Sequence, residues 1–157
     1  MLYKTLSNGV EMPMLGYGVF QIDDAETQRC VSDALSCGYR LIDTAQAYGN
    51  ERGVGAAIAE SDIPREDLFI VSKVWVSNYG EGKTYESIKH SLELLGLKQI
   101  DLMLLHQAYN DYYAAWRDME RAYKEGLVRA IGVSNFDPIR LLDICTFADI
   151  KPMVNQV

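Results

Sequence analysis

The sequence predicts an α/β fold, an incomplete (β/α)8 TIM barrel, and two observations lead to this prediction. Short apolar segments alternate with helix-like segments at a repeat of about 30 residues, which is the size of a β/α/β unit. Three of the apolar segments end on an ionisable residue, namely Asp43, Lys73 and His106. In a parallel barrel all strands open their carboxyl ends on one face, so these residues are expected to converge there.

Six segments are predicted to be parallel strands because they are short, apolar throughout and bounded by turn residues. Uninterrupted apolar strands are expected where both faces of a sheet are buried. The predicted strands span residues 15–20, 39–43, 68–73, 100–106, 129–134 and 151–157. A hairpin over residues 3–14 precedes them, since Asn8-Gly9 is the strongest short turn signal and apolar-containing segments flank it.

Five helices are predicted between these strands from apolar spacing and from helix-end signals. They cover residues 25–36, 51–60, 83–95, 112–125 and a segment that begins at 138. Asp24 is the expected N-cap of the first helix, and Asp137 and Pro138 are expected at the N-cap and first position of the last helix. Gly96 and Gly126 are expected to end the third and fourth helices.

A doubly wound sheet is the competing parallel fold. It would need a G-x-G-x-x-G motif after its first strand, and no glycines of this chain have that spacing. Functional residues at the ends of successive strands, rather than at one switch point, favour the barrel.

A complete barrel takes about 250 residues. The chain is therefore expected to form one domain over residues 1–157 that corresponds to the N-terminal part of a barrel, a hairpin plus five to six β/α units. Its unpaired edge strand is expected to favour self-association.

Composition and charge exclude several function classes. The chain is 48% hydrophobic and 24% charged, and its net charge of −7 argues against nucleic acid or an anionic membrane as partner. No apolar segment approaches the roughly 20 residues that span a bilayer, and no signal peptide is evident. Three widely spaced cysteines, Cys30, Cys37 and Cys145, predict reduced and mostly buried thiols in a cytoplasmic protein rather than disulfides or a zinc site.

The polar residues Asp43, Tyr48, Lys73 and His106 form a candidate catalytic set. A phenol is a weak acid near neutral pH, with a free pKa of about 10, and a nearby ammonium group stabilises its phenolate. Lys73 would be that ammonium group, Asp43 would balance its charge, and Tyr48 would be the general acid. His106 would orient the substrate oxygen. A carbonyl group that accepts a hydride needs such a proton donor, tuning cation and orienting group.

Each of these residues also has a structural interpretation. Tyr48 is one of ten tyrosines, Lys73 would be a solvated lysine, Asp43 would cap a helix, and His106 would be a structural histidine. Their joint occurrence at successive strand ends favours the functional interpretation.

A metal-dependent hydrolase would need several histidine ligands, but the chain has two histidines and no H-x-H or H-E-x-x-H motif. The G-x-S-x-G motif of serine hydrolases is also absent.

Five segments, in order along the chain, resemble those of the aldo-keto reductases. They are Leu41–Gly55, Ser72–Trp75, Gly96–His106, Ile131–Phe136 and Val154–Val157. The chain is most similar to the bacterial members that resemble 2,5-diketo-D-gluconate and methylglyoxal reductases. The resemblance implies NADPH-dependent reduction of small aldehydes and ketones to alcohols on a (β/α)8 barrel. It also implies that the four polar residues form the family's catalytic tetrad, with Tyr48 as the acid.

The resemblance further implies a cofactor site and a substrate pocket. The residues that would contact NADPH are Gly18, Val19, Asp43, Ser134, Asn135 and Gln156. The last three would hold the nicotinamide carboxamide. Trp75 would line the substrate pocket together with Tyr48 and His106.

Two departures from the family pattern bear on these expectations. Gln107-Ala108-Tyr109 follows the histidine where many relatives have Trp-Pro, which predicts a different pocket wall. The family's later segment, which binds the adenosine phosphate, is not part of this sequence. An alternative hypothesis is therefore a truncated, catalytically inactive fragment or an interaction module on a reductase scaffold. The intact tetrad counts against this alternative, and the missing segment counts for it.

Overall fold

A computed structural model describes residues 1–157 as a hairpin, a six-stranded sheet and five α-helices. The strands are β1 (Tyr3–Thr5), β2 (Glu11–Pro13), β3 (Gly16–Gly18), β4 (Leu41–Asp43), β5 (Phe69–Val74), β6 (Ile100–Leu105), β7 (Val128–Ser134) and β8 (Asn155–Gln156). The helices are α1 (Asp24–Ser36), α2 (Glu51–Glu60), α3 (Lys83–Leu95), α4 (Tyr112–Lys124) and α5 (Pro138–Phe147). Short 3-10 helices cover Gln46–Tyr48, Arg65–Asp67 and Val76–Asn78. None of the helices is both long and apolar enough to cross a membrane.

The six-stranded sheet is parallel and its strands follow the order of the chain, from β3 at one edge to β8 at the other. It is strongly curled, because Gln156 on β8 reaches Asp43 on the non-adjacent strand β4, with an Nε2 to Oδ2 distance of 3.0 Å. The strand order and the intervening helices confirm the predicted parallel β/α architecture.

Two apolar cores lie on the two faces of this sheet. The larger core contains 28 buried residues between the sheet and the helices, such as Ile42, Ile70 and Ile88. The smaller core fills the concave face and consists of Leu6, Phe69, Val71, Leu102, Leu104 and Ala130. Successive residues of β5 therefore point into different cores, and all six are buried; the strand is apolar up to Val71 and carries Ser72 and Lys73 near its carboxyl end.

Two helix starts test the predicted capping residues. Asp137 caps α5 as expected, since its carboxylate accepts hydrogen bonds from the backbone of Ile139 and Arg140, at 2.9 and 3.1 Å. The prediction for α1 is wrong by one residue, because Asp23 is the N-cap and Asp24 lies in the first turn. The Asp24 carboxylate instead accepts a hydrogen bond from the backbone N–H of Gly53 at 3.0 Å. Two adjacent aspartates fit the capping pattern equally well, and the contact with α2 distinguishes them.

The edge strands are shorter than predicted. Residues 15–20 were expected to form the first strand of the sheet and 151–157 the last, but only Gly16–Gly18 and Asn155–Gln156 pair with a neighbour. Each edge strand has one neighbouring strand rather than two, so fewer of its residues are held in extended conformation.

The cysteines are free, as predicted, but the expectation of mostly buried thiols is wrong. Cys37 is exposed, whereas Cys30 and Cys145 are half-buried. Cys37 is the C-terminal cap of α1, and the other two lie on α1 and α5, so all three belong to the helical layer and not to the sheet.

Candidate active site

The four residues of the candidate catalytic set meet at the carboxyl edge of the sheet. Asp43 is the last residue of β4, Lys73 lies near the end of β5, and His106 directly follows β6. The backbone N–H of His106 donates to the carbonyl of Val74 at 3.1 Å and so extends the β5–β6 pairing. Tyr48 ends the 3-10 helix that follows β4, and this short helix turns its ring back over the sheet edge.

Lys73 is the centre of the cluster. Its ammonium group donates hydrogen bonds to the Asp43 carboxylate, to the Thr44 carbonyl at 3.0 Å and to the Tyr48 hydroxyl at 3.3 Å. The Lys73 side chain is only 1% exposed, whereas that of Asp43 is 17% exposed. A buried ammonium is stable only when it is paired and hydrogen-bonded. These three acceptors therefore hold a positive charge in a fixed position against the phenol oxygen.

The His106 ring lies between two other aromatic rings in edge contacts. Its centroid is 5.6 Å from that of Tyr48 and 5.1 Å from that of Trp75. Burial lowers the pKa of His106 from 6.5 to about 4, the Lys73 charge lowers it as well, and the Asp43 charge opposes them. The imidazole is therefore neutral at neutral pH, with one N–H donor and one acceptor nitrogen. Its Nδ1 atom is buried without a hydrogen-bond partner.

Ser134, Asn135 and Gln156 lie next to one another at the ends of β7 and β8. The Ser134 hydroxyl donates to the Gln156 carbonyl at 3.1 Å. The Asn135 amide donates to the His106 carbonyl at 3.1 Å and to the Ser134 hydroxyl at 3.0 Å. Asn135 adopts a φ of 57°, a left-handed conformation that asparagine tolerates better than most residues. The Gln156 amide donates to Asp43, so this group is linked directly to the candidate catalytic set.

Gly18 and Val19 lie at the end of β3, beside Asp43. Gly18 is exposed, and a Cβ atom added to it would meet nothing within 4 Å, so the surface above it is open. The Val19 side chain is fully buried in the larger core. Its backbone N–H donates to the Asp43 carbonyl at 3.0 Å. Gly18 therefore borders open space, while Val19 faces the site through its backbone alone.

Sequence reasoning missed two residues that shape this site. Phe20 is 64% exposed and its ring centroid lies 5.0 Å from that of Tyr48. Its position at the end of the predicted first strand, residues 15–20, was the available signal. Asn50 is fully buried, accepts a hydrogen bond from the Thr44 hydroxyl at 2.8 Å, and donates to the Val19 carbonyl at 2.9 Å. No local pattern indicates that contact, because it joins residues 31 apart in the chain.

A curled parallel β/α sheet with a polar cluster at its carboxyl edge identifies this molecule as part of a β/α barrel, a fold whose active sites lie at that edge. The model of the aldo/keto reductase family matches residues 12–157, which agrees with this assignment of the fold. The chain therefore belongs to the aldo/keto reductase family, as its sequence segments indicated.

Individual relatives are similar over nearly the whole of this chain. The uncharacterized oxidoreductase YtbE of Bacillus subtilis is 51% identical over 98% of the chain and 57% of its own length. Glyoxal reductase of the same organism is 49% identical over 97% of the chain and 56% of its own length. The crystal structure of a Bombyx mori aldo-keto reductase in complex with NADP superposes with a TM-score of 0.93 at 31% identity, covering 98% of this chain and 57% of that one. The chain thus spans about half the length of the relatives it matches.

Proposed function

We propose that this chain provides the catalytic residues of an NADP(H)-dependent oxidoreductase that reduces small aldehydes and ketones to alcohols. The observation that carries the proposal is the Lys73 ammonium group held between Asp43 and the Tyr48 hydroxyl, beside a neutral His106. Membership of the aldo/keto reductase family supports it, as do a relative named glyoxal reductase and a similar structure in complex with NADP.

The residues at the ends of β7 and β8 fit the nicotinamide end of such a cofactor. The Ser134 hydroxyl and the amides of Asn135 and Gln156 offer donors and acceptors that match a carboxamide, and Gly18 leaves open space on the other side of Asp43. When bound, the cofactor supplies the hydride that the carbonyl carbon accepts.

Tyr48 is the general acid in this proposal. Its hydroxyl gives a proton to the carbonyl oxygen as that oxygen gains negative charge. The Lys73 ammonium group, 3.3 Å from the phenol oxygen, stabilises the phenolate that remains. Asp43 holds the ammonium group in place and balances its charge, so the site carries little net charge before the reaction.

His106 and Trp75 orient the substrate in this proposal. A neutral imidazole offers an N–H to the carbonyl oxygen without placing a second positive charge beside Lys73. Trp75 is half-buried against the His106 ring and forms an apolar wall next to that oxygen. Preorganised groups of this kind stabilise the developing oxyanion because they need not reorganise during the reaction.

The test is NADPH oxidation, followed by absorbance, with methylglyoxal and with an aromatic aldehyde as substrates. Tyr48→Phe is expected to lower turnover by about 10²- to 10⁴-fold, the usual contribution of a general acid. Tyr3→Phe, at an exposed tyrosine on β1, is the matched control and should retain native turnover. Equal turnover in Tyr48→Phe and the native chain would overturn the role of Tyr48. No NADPH oxidation by folded, full-length protein would overturn the proposed activity.

The second candidate is a catalytically inactive chain that acts as an interaction module. The observation that favours it is the pair of edges on the sheet, β3 and β8, each of which pairs on one side only. Unpaired edges offer backbone groups to another chain. Sedimentation velocity would detect self-association, and a concentration-independent monomer would contradict it.

The absence of nucleic-acid binding and the cytoplasmic location stay predictions from composition.

A further inference from the structure

Gln46 connects the segment that carries Tyr48 to the segment that carries Trp75. It is the first residue of the 3-10 helix Gln46–Tyr48. Its side-chain oxygen accepts hydrogen bonds from the backbone N–H of Trp75 at 3.0 Å and from the Asn78 amide at 2.9 Å. The two segments follow β4 and β5 and are otherwise separate loops.

The side-chain nitrogen of Gln46 is anchored on α3. It lies 3.1 Å from the carbonyl of Ser87, 3.2 Å from the Ser87 hydroxyl and 3.1 Å from the Ser91 hydroxyl. Both ends of this half-buried amide are therefore fully hydrogen-bonded, which fixes its orientation. A helix packed on the sheet is a rigid base, so Gln46 can hold both loops relative to it.

The three rings of the site lie in the row Tyr48, His106, Trp75. Gln46 joins the two ends of this row, since it precedes Tyr48 by two residues and binds the backbone of Trp75. We propose that Gln46 is a positioning residue that sets the separation of Tyr48 and Trp75 on the two sides of His106, and with it the width of the carbonyl substrate pocket. The pocket itself rests on the proposed function, whereas the contact with Trp75 does not.

Fluorescence tests the contact independently of any activity. The chain has two tryptophans, so Trp116→Phe leaves Trp75 as the single tryptophan. In that background Gln46→Leu, which removes the acceptor and the donors, is expected to shift the Trp75 emission to longer wavelength and to increase its quenching by acrylamide. Gln46→Glu keeps an oxygen acceptor for the Trp75 N–H but loses the donor to the Ser87 carbonyl, so its emission should lie between those of the native chain and Gln46→Leu.

Gln99→Leu is the matched control. Gln99 is another half-buried glutamine, and its amide donates to the Gly126 carbonyl at 2.6 Å near the amino-terminal end of the sheet. It should leave the Trp75 emission unchanged. If Trp116→Phe does not fold, the same spectra are obtained as the difference between each variant and its Trp75→Phe counterpart. Unchanged Trp75 emission in Gln46→Leu would overturn the inference.

Kinetics then separates this inference from the proposed function. If the chain reduces carbonyl compounds, Gln46→Leu should raise the KM for the aldehyde and lower kcat/KM by about tenfold, as expected for a lost hydrogen bond in a positioned site, with the affinity for NADPH unchanged. A native chain without NADPH oxidation would contradict the proposed function while the Trp75 spectra still decide the role of Gln46. Native kinetics in Gln46→Leu would overturn the effect on the pocket.

Discussion

The two ends of the same parallel sheet each hold a carboxylate beside a cation, but they use the pair differently. At the amino-terminal end, the Asp101 side chain is 0% exposed. It accepts hydrogen bonds from Arg65 at 2.6 Å, from Arg129 at 2.7 Å and from the backbone N–H of Ile70 at 2.9 Å. These donors lie on β5, on β7 and in the 3-10 helix that precedes β5, so this cluster ties β5, β6 and β7 together.

At the carboxyl-terminal end the hydrogen-bonding capacity is only partly used. Lys73 is fully bonded, yet the Asp43 carboxylate remains partly exposed and Nδ1 of His106 has no partner. The same kind of ion pair therefore stabilises the fold where its carboxylate is fully buried among its donors. It becomes suited to chemistry where neighbouring groups still face open space, and the two ends of a β/α barrel divide these tasks in this way.

The sharpest way to break the comparison is to remove a charge at the carboxyl-terminal end. Lys73→Met leaves Asp43 beside Tyr48 without a cation, so forming the phenolate becomes unfavourable. Turnover in the NADPH assay should fall by about 10²- to 10⁴-fold, comparable to removal of the general acid itself. Lys98→Met, at an exposed lysine near the amino-terminal end, should keep native turnover. A Lys73→Met variant as active as the native chain would contradict the proposed role.

Removing the corresponding charge at the amino-terminal end should affect stability. Asp101→Asn has the same shape but leaves two guanidinium groups without their carboxylate. The free energy of unfolding, measured with urea, should fall by about 3 kcal/mol. This value is the lower end of the range for a broken buried ion pair, because the side chains of both arginines are partly exposed. Asp149→Asn, at an exposed aspartate 4.0 Å from Lys124, should change it by less than about 1 kcal/mol. Equal effects of the two variants would contradict the comparison.

The pH dependence of the free energy of unfolding should report on His106 at the carboxyl-terminal end. The pKa of His106 is lowered from 6.5 in the unfolded chain to about 4 in the folded one. Between these values the unfolded chain binds more protons, so the stability from neutral His106 is present above about pH 6.5 and is lost as pH falls toward 4. The loss should be at most about 3 kcal/mol. His106→Asn should remove this component, measured as a smaller pH slope of the free energy of unfolding. Parallel curves for the native and variant chains would contradict it.

The smallest effect is expected where the hairpin joins the amino-terminal end. The Asn8 amide donates to the Arg129 carbonyl at 2.9 Å, while its oxygen accepts from the backbone of Val10 at 3.2 Å. Asn8→Asp keeps the acceptor and the turn but loses the donor, and should lower the free energy of unfolding by about 1 kcal/mol without changing turnover. A loss of turnover in Asn8→Asp would show that the two ends of the sheet are not independent.

Local signals predicted most of the fold. Asn8-Gly9 forms the expected turn, with Gly9 at a φ of 86° that favours glycine, and Asp137-Pro138 begins α5. The central strands β5, β6 and β7 are buried on both faces, as their composition indicated, whereas the edge strands β3 and β8 are partly exposed. The incorrect predictions concern the choice between Asp23 and Asp24, the burial of the cysteines and the length of the edge strands. Each of these depends on which neighbour an element packs against, and no local pattern contains that information.

Sequence patterns alone locate the residues at the ends of the strands, and parallel β/α order then requires Asp43, Lys73 and His106 to share one edge. The contacts between these groups come from the folded chain: Lys73 reaches Tyr48, Gln156 reaches across the curled sheet to Asp43, and Gln46 binds Trp75. These contacts join residues 25 to 113 positions apart. Their geometry depends on strand register, sheet curl and the direction of each side chain. Periodicity and spacing locate elements along the chain, but they do not specify those three quantities.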